Sequence, residues 1–403
     1  MMTQCENPIA PHERALTDAI AGKVVVAMSG GVDSSVAALM LTEQGFPCVG
    51  VSMQVWDYRS HGGSSSRATC CAPSDFTDAR RVAGKVGIPY YVLDFEEFFR
   101  KEVINRFVAS YQAGVTPNPC VDCNRKVKFK ELRSRAFQFG CSHVATGHYA
   151  RITKSAEGFH LLRGNDPDKD QSYFLYGLTQ EELSTTLFPI GELTKPEVRE
   201  RARAAGLVTA EKAESQDICF VSGSVKEFVE RHGAVASRGD IVTTGGKKVG
   251  AHEGVHSFTV GQRKGLGVGG SEGPMYVVEL VPEQNLVVIG GKAELERAEF
   301  TLTDLVLVNP TLKAQAAEQA PMEFDAVAQL RHRHPGVPVR VRLAMGSATV
   351  TFKDSWTTVT PGQAGVLYDL ANQEVLAGGT ISTAQQATTA GLRSKGSGDT
   401  AFL

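Results

Sequence analysis

Two stretches of this chain have residue types and spacing suited to chemistry. The first is TPNPCVDCNRKVKFK, residues 116–130, where Cys120 and Cys123 stand in a C-x-x-C frame. Prolines precede the frame, and Arg125, Lys126 and Lys128 follow it. Such a frame fits half a zinc site, a redox dithiol, or one nucleophilic thiol beside a bystander. Zinc requires two further ligands at tetrahedral spacing, and the adjacent Cys70 and Cys71 suit a single ion poorly. The second stretch is AMSGGVDSS, residues 27–35. Where such a string joins a strand to a helix, backbone N–H groups and the helix N-terminus create a site for phosphate, and Ala27, Met28, Ser29, Gly30, Gly31, Val32, Asp33 and Ser34 are the candidate ATP-binding residues. The glycines allow close approach, and Ser29, Ser34 and Ser35 add hydroxyls. Asp33 repels phosphate unless Mg²⁺ bridges the two, and the string lacks the lysine of a Walker loop.

The elements around these residues follow from periodicity. KVVVAM is a β-branched strand leading into the loop, and VAALMLTEQG is a helix ending on Gly45. PCVGVSMQVW and IPYYVLDF are strands; between them SDFTDARRVAGKVG is a helix with Ser74 at its N-cap. EEFFRKEVINRFVASYQAG and VKFKELRSRAFQFG are helical, the proline pair before the cysteines favours extended backbone, and SHVATGHYAR is a strand. Alternating strands and helices predict a doubly wound parallel α/β sheet. After a last helix, VKEFVERHG, the chain becomes glycine-rich and strand-like, and from Phe300 to Ser382 it reads as a helix-poor β-barrel. The expected organisation is an N-terminal extension (1–21), an α/β nucleotide domain (22–222), a small β-rich domain (223–296), a C-terminal β-barrel (297–383) and a polar tail (384–403).

Composition narrows the class. A formal net charge of −2 excludes a global positive field, so a nucleic-acid partner must be held by local patches. No apolar run is long enough to span a bilayer, and the N-terminus lacks a secretory pattern, so the chain reads as cytoplasmic, with no membrane partner. Eight cysteines in 403 residues are too few for a disulfide scaffold. Cys48 and Cys141, beside apolar runs, are expected in the core.

The string V-x-x-SGGVDSS resembles the PP-loop of the ATP pyrophosphatases, which adenylate a carbonyl-type oxygen and release pyrophosphate. NPCVDCNRKVKF, ATGHYAR, DKDQSYFL, ESQDICFV and GVHSFTVGQRKGLGVGG together resemble the bacterial tRNA-specific 2-thiouridylases over roughly residues 22–382. The resemblance implies ATP and Mg²⁺ as cofactors and the wobble uridine of tRNA as substrate. It implies Cys123 as nucleophile and Cys219 as persulfide carrier, joined in a disulfide after turnover. A cysteine desulfurase or sulfur-relay protein would supply the sulfur. It places Met53 and Gly147 at the ATP, and Asn118, Pro119 and Cys120 at the target base. His148, Lys169, Asp170, Gln171, Arg331, His332 and Gln363 are placed on tRNA. Cys120 departs from the family, which often has an acidic residue there; Gln216 and Asp217 fall in a variable spacer without an assigned role. The basic run after Cys123 is expected to favour its thiolate. Two other classes fit parts of the sequence: an adenylating synthetase or amidotransferase acting on a small metabolite, from the loop alone, and a zinc-stabilised RNA-binding protein, from the C-x-x-C.

Overall fold

The computed structural model describes residues 22–56, 73–214, 218–221, 223–268, 273–319, 321–353 and 357–382. The expectations for residues 1–21, Cys70, Cys71, Gln216, Asp217 and the tail lie outside these residues.

In β1 (Lys23–Ala27), Val24 and Val26 join one hydrophobic layer and Val25 the other. Burial on both faces accounts for an unbroken β-branched run where a half-exposed strand would alternate with polar residues. The loop after β1 opens α1 (Val32–Glu43), and β2 (Cys48–Gln54), α2 (Pro73–Val86) and β3 (Tyr90–Asp94) follow. Helix α3 comprises Glu96–Phe99, a π-helical Arg100–Ile104 and Asn105–Gln112. Helix α4 comprises Pro119–Asp122, a π-helical Cys123–Glu131 and Leu132–Gln138. After β4 (Cys141–Thr146) comes a separate hairpin, β5 (Ala150–Lys154) and β6 (Phe159–Arg163). β7 (Thr186–Leu187) then completes a parallel sheet of order β3-β2-β1-β4-β7.

Helices cover both faces, as a doubly wound sheet requires. α1, α2 and α5 (Lys195–Ala204) pack on one side through Val36, Val82 and Val198. α3, α4 and α6 (Val225–Arg231) pack on the other through Phe107, Leu132 and Phe228. Cys48 and Cys141 lie in these two layers, and burial raises both thiol pKa values, that of Cys48 to about 11. The strand order reverses at β1, so the crevice beyond the carboxyl ends of β1 and β4 is the expected ligand position.

Three local expectations differ. α2 begins at Pro73, so Ser74 lies inside the helix rather than capping it. The prolines do not keep the cysteine segment extended, because Pro119 occupies the first helical turn, where a missing N–H costs nothing. ATGHYAR is not one strand, since the backbone breaks between β4 and β5 around Gly147.

The second block is a sheet of β8 (Gly239–Thr243), β9 (Lys248–His252), β10 (Tyr276–Val281) and β11 (Leu286–Gly290), in the order β10-β11-β8-β9. In the third, β12 (Glu296–Arg297) later pairs with β17 (Thr357–Thr358). A closed barrel is formed by β13 (Glu299–Leu307), β14 (Met322–Gln329), β15 (Val337–Ala344), β16 (Ser347–Phe352), β18 (Ala364–Tyr368) and β19 (Val375–Ser382), closing where β13 meets β19. One helix, α7 (Pro310–Gln319), interrupts the otherwise helix-poor block. In β15, Val339, Val341 and Leu343 point inward while Arg340 and Arg342 point out, the period of two expected of a barrel wall.

The barrel docks on the first domain through a shared apolar cluster that includes Val121, Phe129, Tyr173, Tyr176, Val366 and Tyr368. Gly378 admits the Tyr176 ring; a Cβ there would lie 2.4 Å from it. Arg163 joins the two bodies. It pairs with Asp170 at 2.6 Å, donates to Gln329 and Asn372, and lies 3.6 Å over the Tyr368 ring.

Candidate active site

A cavity of about 770 Å³ opens at the carboxyl ends of β1 and β4. Its floor is the glycine–serine loop. Gly30 has φ +76°, and a Cβ there would lie 2.3 Å from the Asp75 carbonyl oxygen. A Cβ on Gly147 would lie 2.6 Å from both the Asp33 carbonyl carbon and the Ser34 nitrogen, so strand β4 ends flush against the first turn of α1. Ser34 Oγ accepts from the Ser29 N–H at 3.1 Å, and Ser35 Oγ donates to the Gly31 carbonyl at 2.7 Å, bracing the turn. The helix start faces the cavity with the donors that bind anions at helix N-termini.

Beside the loop is a lattice of lysines and carboxylates. Lys195 Nζ lies 2.8 Å from both Asp33 oxygens and 2.7 Å from Glu214, which Lys169 also reaches at 2.8 Å. Burial acts to raise the Glu214 pKa, but the two ammoniums outweigh it and hold the carboxyl down at about 2. Tyr149 donates its hydroxyl to Asp33 at 2.7 Å, and burial together with that carboxylate raises its pKa, keeping the phenol protonated. Lys212 bridges Asp75 at 2.7 Å and Asp78 at 2.6 Å. Three ammoniums therefore line the phosphate side of the cavity, each held by carboxylates.

The same cavity carries sulfur. Cys120 and Cys123 sit one helical turn apart at the start of α4, Cys120 exposed and Cys123 half-buried, and Cys219 is half-buried after the lysine–carboxylate lattice. All three line the cavity, and Cys123 and Cys219 pack against the same hydrophobic layer. A thiol pair separated by ninety-six positions in the chain and a phosphate loop thus share one chamber.

Family profiles match the three blocks in turn: the tRNA methyl transferase HUP domain at residues 22–223, the tRNA methyl transferase PRC-barrel domain at 226–291, and the aminomethyltransferase beta-barrel domain at 298–381. The tRNA-specific 2-thiouridylase MnmA of Geobacter metallireducens is 47% identical over 92% of this chain and 99% of its own. That of Parvibaculum lavamentivorans is 46% identical over 89% of this chain and 90% of its own. The chain belongs to the MnmA family.

Measured against the MnmA resemblance, the residues divide. Ala27, Met28, Ser29, Gly31, Val32, Asp33, Ser34, Met53 and Gly147 line the cavity, as do Pro119, Cys120, His148, Lys169, Gln171 and His332. Gly30 lies behind the loop against α2. Asn118 turns away from the cavity to donate to the Tyr173 hydroxyl. Asp170 is a buried structural carboxylate rather than a presented one, because it accepts from Arg163, Gly164 N and both donors of Ser172. Gln363 clamps the barrel to the segment before α4, donating to the carbonyls of Thr116 and Pro117. Arg331 is exposed but off the cavity, which its neighbour Arg333 lines from a left-handed conformation (φ +61°).

The basic run after Cys123 is not one patch. Lys126 pairs with Glu102 at 2.8 Å and Arg125 packs along Gly177, leaving Lys128 on the cavity. A helix disperses consecutive residues around its axis, which explains the scatter. His148, clustered with Phe129 and Phe188, stays neutral because burial, reinforced by Lys128, drives its pKa well below the ordinary range. Lys128 can only donate to Nε2 (3.5 Å), so Nδ1 carries the proton and donates to Thr146 Oγ1 (2.7 Å). Sequence reasoning missed Tyr149, Lys195, Lys212, Glu214 and Asn124. Tyr149, Asn124 and Glu214 carried a signal, each falling inside a string already singled out. Among the described residues, no group of three or more His, Cys, Asp or Glu side chains is placed to hold a metal ion.

Proposed function

We propose that this protein is a tRNA 2-thiouridylase, which activates the C2 carbonyl oxygen of the wobble uridine with ATP and replaces it by sulfur. The observation that carries this reading is that the phosphate loop, Cys123 and Cys219 line one cavity. The triphosphate fits the glycine floor and the ammoniums of Lys169, Lys195 and Lys212. Asp33, the carboxylate of the loop, would hold Mg²⁺, which would offset the phosphate charge beside it. Adenylation turns a poor leaving group into AMP, with loss of pyrophosphate. The terminal sulfur of a Cys219 persulfide then attacks C2 and AMP departs. The Cys123 thiolate attacks Cys219 Sγ, breaking the S–S bond. The outer sulfur leaves with the electron pair as the thiocarbonyl, and a Cys123–Cys219 disulfide remains. A thiol reductant and a persulfide donor, a cysteine desulfurase or a relay protein, reset the site. The matched profiles carry methyl transfer in their names, but paired thiols beside a phosphate loop favour sulfur. Gln171 and His332, which line the same cavity, are the residues to meet tRNA, the cytoplasm being where that substrate is found.

Cys123→Ser and Cys219→Ser are each expected to lower 2-thiouridine formation by about 10³-fold or more, with tRNA binding retained. Mass analysis of nucleosides after reaction with ATP, Mg²⁺ and a persulfide source is the measurement, and full yield from both variants would overturn the scheme. The loop alone also fits an adenylating synthetase or amidotransferase for a small metabolite. Pyrophosphate release with such a molecule and no tRNA would favour that alternative.

A further inference from the structure

Asn124 follows Cys123, is 4% exposed, and forms part of the cavity wall. Its Nδ2 donates to the Phe174 carbonyl at 3.2 Å, which fixes the orientation of the amide. The remaining acceptor, Oδ1, is buried and has no hydrogen-bond partner. A buried acceptor left unmet is unfavourable, and in a cleft it marks where a ligand's donor is wanted.

Uracil and cytosine differ at this point of their edge, for N3 of uracil carries a hydrogen and N3 of cytosine a lone pair. Resting on the tRNA reading above, we infer that Asn124 is a specificity-determining residue for the target base, its Oδ1 accepting the N3–H of a uridine extruded into the cavity. N3 adjoins C2, so this bond holds the reacting carbon beside Cys123, the neighbouring residue. Pro119, Cys120 and Phe174 line the same cavity, and Phe174 carries the His332 ring at a centroid distance of 4.8 Å, a surface suited to stacking. Oδ1 is closed off from water, so the base edge reaches it through a side-chain adjustment of the wall as the base seats.

The test titrates anticodon stem-loops carrying uridine, cytidine or 3-methyluridine at the wobble position against the full chain, with binding read by fluorescence anisotropy. Wild type is expected to prefer uridine about tenfold over either alternative, and Asn124→Ala to cut the preference to within about twofold. Asn124→Asp keeps an acceptor and is expected to keep the preference. Discrimination against 3-methyluridine alone indicates a steric role, and equal weakening of all three probes a structural one; either result overturns the inference. If Asn124→Ala fails to fold, the wild-type ratio for uridine over cytidine decides, and a ratio near one overturns it. Because binding is the readout, lack of thiolation with discrimination intact defeats the function reading alone. Thiolation with discrimination unchanged in Asn124→Ala defeats this inference alone.

Discussion

His148 shows how burial converts a titratable side chain into a fixed one. Its ring packs in a cluster with two phenylalanines and its pKa is depressed, whereas in the unfolded chain it titrates near 6.5. The folded state therefore refuses a proton that the unfolded state accepts. Its contribution to stability is complete above pH 6.5 and declines as pH falls below it, by up to about 1.4 kcal/mol per pH unit. Urea midpoints between pH 7.5 and 5.5, compared with those of His148→Phe, measure this; the variant is expected to flatten the slope by that amount, and an unchanged slope would contradict the assignment. Cys120 stands at the other extreme. It is exposed on the same cavity one turn before the half-buried Cys123.

Elements place these groups through close approach. β4 ends against the first turn of α1 with space for nothing larger than a hydrogen on Gly147. Gly147→Ala is expected to push that turn out of line and to weaken ATP binding by about tenfold, because overpacking at a rigid contact is relieved by moving the backbone. Calorimetric titration with ATP is the check, with tRNA affinity, set by other surfaces, held within about threefold. Helix α4 acts similarly. Its π-helical run, a form that recurs at functional sites, begins at Cys123 and turns Asn124 and Lys128 onto the cavity while Lys126 is directed to Glu102. The C-x-x-C spelling identified the cysteines, but a linear reading has no means of assigning helical faces when the segment contains two prolines and mixes 3.6-residue and wider turns.

Across the whole molecule, the barrel completes the cavity by bringing His332 and Arg333 to a wall otherwise built by the first domain. Arg163 holds that arrangement: its guanidinium is the partner of Asp170, whose side chain is 5% exposed. Arg163→Ala leaves a buried carboxylate uncompensated and is expected to cost about 3–5 kcal/mol in chemical denaturation. It is also expected to weaken tRNA binding more than ATP binding, since the barrel loses its anchor and the phosphate loop does not. Equal losses for both ligands would show that Arg163 supports the first domain alone. Asp170 and Gln363, expected on tRNA from the resemblance, take part in this docking.

The strand–loop–helix unit, the parallel sheet and the final barrel were legible in the chain because each rests on short-range patterns: β-branched runs, a glycine turn, alternating burial. Cys123 and Cys219, the proposed reacting pair, emerged from the combination of motifs with the family resemblance. What linear order could not convey was the lysine–carboxylate lattice, the burial of Asp170, and the unmet acceptor of Asn124. Lys195 and Glu214 lie far from the loop in sequence, and Lys195 bridges Asp33 to Glu214 only once the chain has folded. Whether a polar side chain faces solvent, a partner or a cavity depends on what packs against it from elsewhere in the chain, and that is a property of the folded molecule.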